Sequence, residues 1–193
     1  MRNLIFDLET TGKVQRKLSP SSPKQPHAVQ LAAEVYDDET DQSLVGINLI
    51  VRPPVPIPDE VAKLHGINNE IADRFGVRPV VAVSMFNNLL SIADRIVAHN
   101  ITFDRFVMEC EYRRSEKPMA GFVKFPGLCT MLLSTRICNL PPNHGFTEPK
   151  WPTLEEAYKT LVDPAGFEGA HDASNDIMAC RKVYIALRDK GLC

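Results

Sequence analysis

The sequence LIFDLETTG, residues 4–12, joins a short apolar run to two acids and a turn. The apolar run is typical of a buried strand. Alternate side chains of a strand share a face, so Asp7 and Glu9 are predicted to project together. Two neighbouring buried carboxylates repel each other unless a cation lies between them, and oxygen ligands suit Mg²⁺ or Mn²⁺. The stretch therefore predicts a central strand with a metal site, and two acids that simply face water are the alternative.

A second acid-bearing stretch, RIVAHNITFD, covers residues 95–104. Its apolar start predicts a buried strand over residues 95–98, and helical spacing of apolar side chains predicts a helix over residues 102–114. Asp104 then lies at the edge of the packed helix face, near the carboxyl end of the strand. The alternative is an acid that only complements the dipole at the start of the helix.

The third stretch is GAHDASNDIMACRKVYIAL, residues 169–187. Asp176, Cys180, Val183 and Leu187 form a helical stripe, so Asp176 heads an apolar face that should pack on the sheet. His171 is predicted to lie in the loop before this helix and to lean over the same site. That position indicates a general base, although histidines in glycine-rich loops are commonly solvated or structural.

In this order, FDLETTG, HNITFD and HDASND resemble the three motifs of the DEDDh 3′-to-5′ exonuclease family, which is DnaQ-like in character. The resemblance runs from Arg2 to about Leu187. It implies an α/β, ribonuclease H-like fold in which a central mixed β-sheet is flanked by α-helices.

The resemblance also implies a catalytic site with two Mg²⁺ (or Mn²⁺) ions. By this resemblance, Asp7, Glu9 and Asp176 bind the more buried metal, and Asp7 also bridges to the second ion. Asp104 holds the second ion directly or through water, and His171 matches the general base. Two such metals activate a water and stabilise the attacking and leaving oxygens of an in-line displacement.

The implied reaction removes nucleoside 5′-monophosphates from the 3′ end of single-stranded DNA or RNA. Proofreading with a polymerase partner in trans, repair and RNA trimming are all open, as is a homodimer. A non-catalytic nucleic-acid-binding module on the same fold is the main alternative. A phosphate-transfer receiver domain would not explain the histidine loop, whereas a metal-dependent hydrolase of free nucleotides remains open.

Substrate-binding residues are predicted at two places. The segment PDEVAKLHGI, residues 58–67, predicts a short helix that Gly66 ends. By the family resemblance, Leu64 and His65 lie beside the terminal nucleotide, and the backbone of Thr10 meets the 3′ hydroxyl. A plain connecting helix is the alternative for residues 58–67.

Length and composition set outer bounds. A chain of 193 residues that is 44% hydrophobic predicts a single exonuclease domain over residues 1–193. We expect no signal peptide and no membrane span. Five scattered cysteines without C-x-x-C spacing predict reduced thiols and a cytoplasmic protein. A net charge of −2 argues against affinity that depends on neutralising a long duplex.

Two further sequence features have both a functional and a purely structural interpretation. Lys13, Arg16, Lys17 and Lys24 lie in a Ser- and Pro-rich loop, for which a solvated loop and a flexible basic flap that guides the strand are both possible. Trp151 precedes a predicted capped helix, and packing on the core is favoured over a base-stacking platform.

The remaining elements support the α/β interpretation. Residues 27–36 and 44–51 predict a strand hairpin across an acidic turn. Apolar spacing around Phe86 predicts a helix before the second motif. Thr153 and Glu156 have the spacing of a capping box at the start of another helix.

Overall fold

A five-stranded mixed sheet forms the centre of the protein in the computed structural model, which describes residues 1–193 apart from the side chain of Ala120. The strands are β1 (Arg2–Thr10), β2 (Ala28–Asp37), β3 (Gln42–Ile50), β4 (Arg95–Ala98) and β5 (Gly127–Cys129). Their spatial order is β3-β2-β1-β4-β5. This arrangement confirms the predicted ribonuclease H-like sheet, including the hairpin of β2 and β3.

The pairing directions place the carboxyl ends of β1, β4 and β5 at one edge. β1 pairs antiparallel with β2 and parallel with β4, where Ile5 lies opposite Val97. β4 and β5 are also parallel. Side chains that follow β1 and β4 therefore meet at the same edge, as the first two motifs require.

Helices lie between and around the strands. Their bounds are α1 (Asp59–His65), α2 (Asn69–Phe75), α3 (Pro79–Leu90), α4 (Ile101–Arg114), α5 (Ala120–Val123), α6 (Thr130–Cys138), α7 (Leu154–Leu161) and α8 (Ala173–Asp189). The helix predicted at residues 102–114 begins one residue earlier, and the capping box of Thr153 and Glu156 is formed. Among the described residues, no helix combines the length and the apolar character needed to cross a bilayer.

Alternation along β1 gives the sheet two packed faces. Leu4, Phe6 and Leu8 join the core that includes α3 and α4, whereas Ile5 packs with Ile177 and other residues of α8. Since side chains two apart share a face, the acids at positions 7 and 9 lie on the α8 side. The strand therefore directs both carboxylates toward the helix that carries the third motif.

The expected packing of Trp151 is wrong, because its side chain is 62% exposed. The apolar layer between α7 and α8 is already filled by other residues, among them Tyr158, Leu154 and Leu133. The backbone beside Trp151 is held by a contact between Pro152 and His99, and Trp151 is not among the side chains of that layer.

Candidate active site

Asp7 and Glu9 lie near the carboxyl end of β1, and both are half-buried. Burial, then repulsion by Asp176 and Asp172, raises the pKa of Asp7 to about 8. Burial, followed by repulsion from Asp7 and two further acids, raises the pKa of Glu9 to about 9. Both carboxyl groups are therefore difficult to ionise, and a cation bound between them would stabilise their charged forms.

Asp104 occupies the first turn of α4 and is only 2% exposed. The helix follows Asn100, whose left-handed backbone (φ 68°) turns the chain sharply out of the segment after β4. Burial and the charge of Asp7 raise the pKa of Asp104 well above its usual range. The second motif therefore brings its acid to the acids of the first.

His171 and Asp176 come together at the start of α8. The backbone N–H of His171 donates to Oδ2 of Asp176 over 3.2 Å, and His171 adopts a left-handed φ of 66°. One side-chain ligand atom each from Glu9, His171 and Asp176 lie within 4.8 Å of one another. Burial raises the pKa of Asp176 to about 6, while the N–H and the charge of His171 oppose this rise. The His171 side chain is exposed, so the imidazole lies at the mouth of the site.

The site has many carboxylates, and no lysine or arginine in the described part of the chain forms an ion pair with them. None of the ion pairs found across the described part of the chain includes Asp7, Glu9, Asp104 or Asp176. Hard divalent cations prefer carboxylate oxygens, and a bound cation reverses the pKa shifts that burial and repulsion impose. The donor set therefore fits Mg²⁺ or Mn²⁺.

The residues predicted to meet the terminal nucleotide differ in their surroundings. Thr10 is buried at the end of β1, and its hydroxyl donates to the carbonyl of Gly12 over 2.7 Å. His65 is 7% exposed, and its Nδ1 accepts from the N–H of Ile67. Burial lowers the pKa of His65, the Thr10 backbone opposes this change, and the charge of His171 adds to it. Leu64 is 54% exposed on the same helix.

Asp172 and Gln30 are site residues that the sequence analysis missed. Asp172 is the N-cap of α8, where its side chain accepts from the N–H groups of Ser174 and Asn175. Its charge raises the pKa values of Asp7, Glu9 and Asp176. The spacing of Asp172 before an apolar stripe is an N-cap pattern that could have identified it.

Gln30 joins β2 to the histidine loop. Its Oε1 accepts from the N–H of Ala173 over 3.1 Å, and its Nε2 donates to Asp172 at 3.5 Å. These contacts fix the start of α8 against the sheet and so position the third motif relative to the first. No sequence pattern marks this role, because it depends on which side chain of β2 faces α8.

His99, Thr130 and Cys180 form a connected polar group beside the acids. Nδ1 of His99 is 3.0 Å from Oγ1 of Thr130, and that hydroxyl is 3.6 Å from Sγ of Cys180. Burial raises the pKa of Cys180, and the charges of Asp7 and Asp104 contribute to the rise. The thiol therefore stays neutral and forms part of the floor of the site.

The sheet and its carboxylate cluster define a ribonuclease H-like nuclease class. A model of the family described as RNase_T, exonuclease, matches residues 4–184. The chain belongs to this exonuclease family, and its motifs are of the DEDDh 3′-to-5′ type. A comparison of the sequence with curated proteins gives no significant match.

Solved structures of similar fold are longer proteins. Escherichia coli exonuclease I in complex with a dT13 oligonucleotide is 19% identical with a TM-score of 0.75, over 98% of this chain and 41% of that chain. The zinc-bound form of the E. coli exonuclease I complex with single-stranded DNA is 18% identical with a TM-score of 0.76, over 98% and 40%. Exonuclease I from Methylocaldum szegediense is 20% identical with a TM-score of 0.73, over 98% and 40%. The chain spans about two fifths of these proteins, and the likeness shows the fold.

Proposed function

We propose that this protein is a metal-dependent 3′-to-5′ exonuclease that removes nucleoside 5′-monophosphates from the 3′ end of single-stranded DNA. The observation that carries the proposal is the convergence of acids from all three motifs on one site. Their pKa values are raised, no lysine or arginine among the described residues pairs with them, and an exposed His171 lies beside them. A binding module without catalysis would not need this electrostatic arrangement.

Asp7, Glu9, Asp104 and Asp176 would hold two Mg²⁺ or Mn²⁺ ions. When bound, such ions supply Lewis-acid activation of a water and charge stabilisation for the attacking and leaving oxygens of the phosphodiester. Asp7 is suited to the shared position, because it interacts electrostatically with Asp176 on one side and Asp104 on the other.

His171 acts as the general base in this proposal. Its imidazole is exposed at the mouth of the site and lies within reach of the carboxylates of Glu9 and Asp176. In the neutral form it takes the proton from the attacking water, and it is held in place because its backbone N–H donates to Asp176. General-base assistance of this kind contributes roughly 10²- to 10⁴-fold in rate.

Thr10, Leu64 and His65 are proposed to bind the terminal nucleotide. His65 lies beside Thr10 at the end of β1, and Leu64 offers an exposed apolar surface on the same helix. The backbone of Thr10 would meet the 3′ hydroxyl, while Leu64 and His65 would contact the base and sugar. This arrangement requires a free 3′ end, which gives the cleavage its direction.

Single-stranded DNA is the favoured substrate because similar folds bind it. The E. coli exonuclease I structures include complexes with dT13 and dA16 oligonucleotides. A net charge of −2 also argues for contact with a short stretch of strand rather than a long duplex.

A 5′-labelled single-stranded DNA incubated with Mg²⁺ tests the proposal, with single-stranded RNA and a mismatched duplex end in parallel. We expect stepwise shortening from the 3′ end and release of 5′-mononucleotides, fastest on single-stranded DNA. Asp7→Asn protein is the control for contaminating nucleases. Binding of the oligonucleotide without shortening, with either Mg²⁺ or Mn²⁺, would support the non-catalytic module and overturn the proposal.

A further inference from the structure

Trp151 is the one tryptophan of the sequence, and most of its indole faces solvent. A large aromatic side chain gains free energy from burial, so an exposed tryptophan on an otherwise folded surface is a candidate contact for a partner. Solvent exposure alone does not identify that partner. The partner is inferred from two other features, namely the anchored backbone around Trp151 and the position of Trp151 relative to the carboxylates.

The chain on both sides of Trp151 is fixed. The N–H of Lys150 donates to the carbonyl of Leu140 over 3.3 Å, and its Nζ donates to Oε1 of Glu156 over 2.7 Å. On the other side, Nε2 of His99 lies 3.0 Å from the carbonyl oxygen of Pro152. The exposed indole is therefore presented from an anchored backbone, which lowers the entropy lost when a ligand stacks on it.

The anchor at His99 connects Trp151 to the candidate active site. β1 and β4 are parallel and Ile5 lies opposite Val97, so His99 follows β4 at the level where β1 carries Asp7. His99 also contacts Thr130, which reaches Cys180 beneath the acids. Trp151 thus lies on the β4 side of the sheet edge, one residue from a chain of contacts that runs through His99 and Thr130 to Cys180.

The helix that carries the proposed terminal-nucleotide residues Leu64 and His65 lies toward β2, on the other side of β1. The segment that carries α1 and α2 packs on β2, where Ile67 and Ala72 join Val29 in a small apolar cluster. β2 and β4 flank β1 on its two sides. A strand whose last nucleotide lies beside Thr10 on the β2 side would cross the carboxylates and continue toward the β4 side.

We propose that the indole of Trp151 stacks on a base upstream of the scissile phosphate of single-stranded DNA. This inference rests on the proposed function and names a further substrate-binding residue for it. An aromatic face suits the role because every base has a π-face, so stacking gives affinity without sequence preference. Loss of one such contact weakens binding by roughly 5- to 150-fold.

Intrinsic fluorescence tests the stacking directly, because the emission of a single tryptophan reports on one position. The test uses the His171→Ala protein, in which cleavage is slow. Addition of dT10 to this protein in the presence of Mg²⁺ should quench the tryptophan emission until binding saturates. A ten-unit abasic oligonucleotide of the same charge should bind more weakly and leave the emission unchanged. Equal affinities for dT10 and the abasic oligonucleotide, with no change in emission when dT10 is saturating, would overturn the proposal.

Matched variants separate stacking from general effects of an exposed aromatic side chain. In the same background, Trp151→Ala should weaken dT10 binding by the factor given above, whereas Trp151→Phe should retain most of the affinity. Phe75, which is 61% exposed on α2, provides the control, and Phe75→Ala should bind like its parent. Equal affinities of the Trp151→Ala and Phe75→Ala proteins would contradict the proposal.

A substrate with no upstream base locates the contact. With otherwise wild-type protein, hydrolysis of the p-nitrophenyl ester of thymidine 5′-monophosphate should have the same kcat/KM before and after Trp151→Ala, while cleavage of dT10 falls. An equal loss on both substrates would place Trp151 at the terminal nucleotide or in the scaffold and refute an upstream role. If the wild-type protein shortens no oligonucleotide, the proposed function fails. If the wild-type protein shortens oligonucleotides and the Trp151 variants bind and cleave them equally well, only the stacking inference fails.

Discussion

The backbone N–H of His171 donates to the carboxylate of Asp176 over 3.2 Å. The contact joins the loop that carries the imidazole to the acid at the start of α8. Because it uses the main chain, it leaves both ring nitrogens free and survives substitution of the histidine side chain. The position of the loop and the chemistry of the imidazole can therefore be tested separately.

Replacement of His171 by alanine should slow cleavage by about 10²- to 10⁴-fold, because it removes the general base. The N–H bond to Asp176 is retained, so binding of Mn²⁺ and of an oligonucleotide should change little. Single-turnover kinetics together with calorimetric titration of Mn²⁺ measure the two effects. Undiminished turnover would remove His171 from the mechanism.

Asp7→Asn should have opposite effects on activity and stability. Activity should fall further than in His171→Ala, because a ligand proposed to be shared by both metals is lost. In the presence of a chelator the variant should unfold at a higher temperature than wild type, since the free-energy cost of burying this carboxyl group, either charged or protonated against its usual pKa, is gone. For a chain of this size, each 1 kcal/mol of relieved repulsion corresponds to roughly 2–4 °C. A less stable variant with normal activity would contradict the site.

The metal-free protein should become less stable as pH rises. The folded pKa values of Asp7 and Glu9, about 8 and about 9, lie above those of the unfolded chain. Between about pH 4 and pH 9 the folded state binds more protons than the unfolded state, so these two groups lower stability progressively across that range. Thermal unfolding with chelator should show this decline relative to the Asp7→Asn protein. Saturating Mg²⁺ should reduce it, and a wild-type profile parallel to that of Asp7→Asn would argue against buried, repelling acids.

The loop over residues 13–26 provides a test of how the strand is guided. The side chain of buried Gln25 donates to the carbonyls of Gln15, Leu18 and Ser19, so the loop has a folded core of its own. A groove of about 330 Å³ lies between this loop and the Pro-rich segment before α1. It is lined by Thr11, Gly12, Lys13, Gln15, Pro23, Lys24, Gln25, Pro26, His27, Val55, Pro56 and Pro58.

Two of the four basic residues of the loop, Lys13 and Lys24, line this groove, whereas Arg16 and Lys17 are not among its lining residues. If the groove contacts the phosphate backbone, Lys13→Gln with Lys24→Gln should reduce the slope of log affinity against log salt by about 1.4. Arg16→Gln with Lys17→Gln changes net charge equally and should leave the slope near wild type. Fluorescence anisotropy between 50 and 200 mM salt measures both, and identical slopes for the two double variants would favour an ordinary solvated loop.

The sequence predicted those parts of the molecule that depend on local pattern. Strand alternation placed Asp7 and Glu9 on one face, and the stripe from Asp176 through Cys180 and Leu187 placed the third motif against the sheet. The capping box at Thr153 was predicted because both of its members lie within four residues. Convergence of the three motifs followed from the family resemblance rather than from any one of these patterns.

Features set by tertiary contacts were missed. β5 has only three residues, too few for a pattern, and α6 buries the polar side chains of Thr130 and Ser134, which obscures its apolar stripe. The exposure of Trp151 has no local sequence signal, and its neighbour Pro152 is anchored by His99, which is 53 residues away in sequence. Gln30 likewise acquires its role only when β2 and α8 are packed together.

In the proposed site, acids from three distant motifs hold divalent cations at the edge of the sheet. Anomalous diffraction from crystals soaked with Mn²⁺ and a nucleoside 5′-monophosphate tests it most directly. We expect two manganese peaks bounded by Asp7, Glu9, Asp104 and Asp176, with His171 beside them and the nucleotide phosphate between. Manganese that binds elsewhere, while these carboxylates carry none, would contradict it.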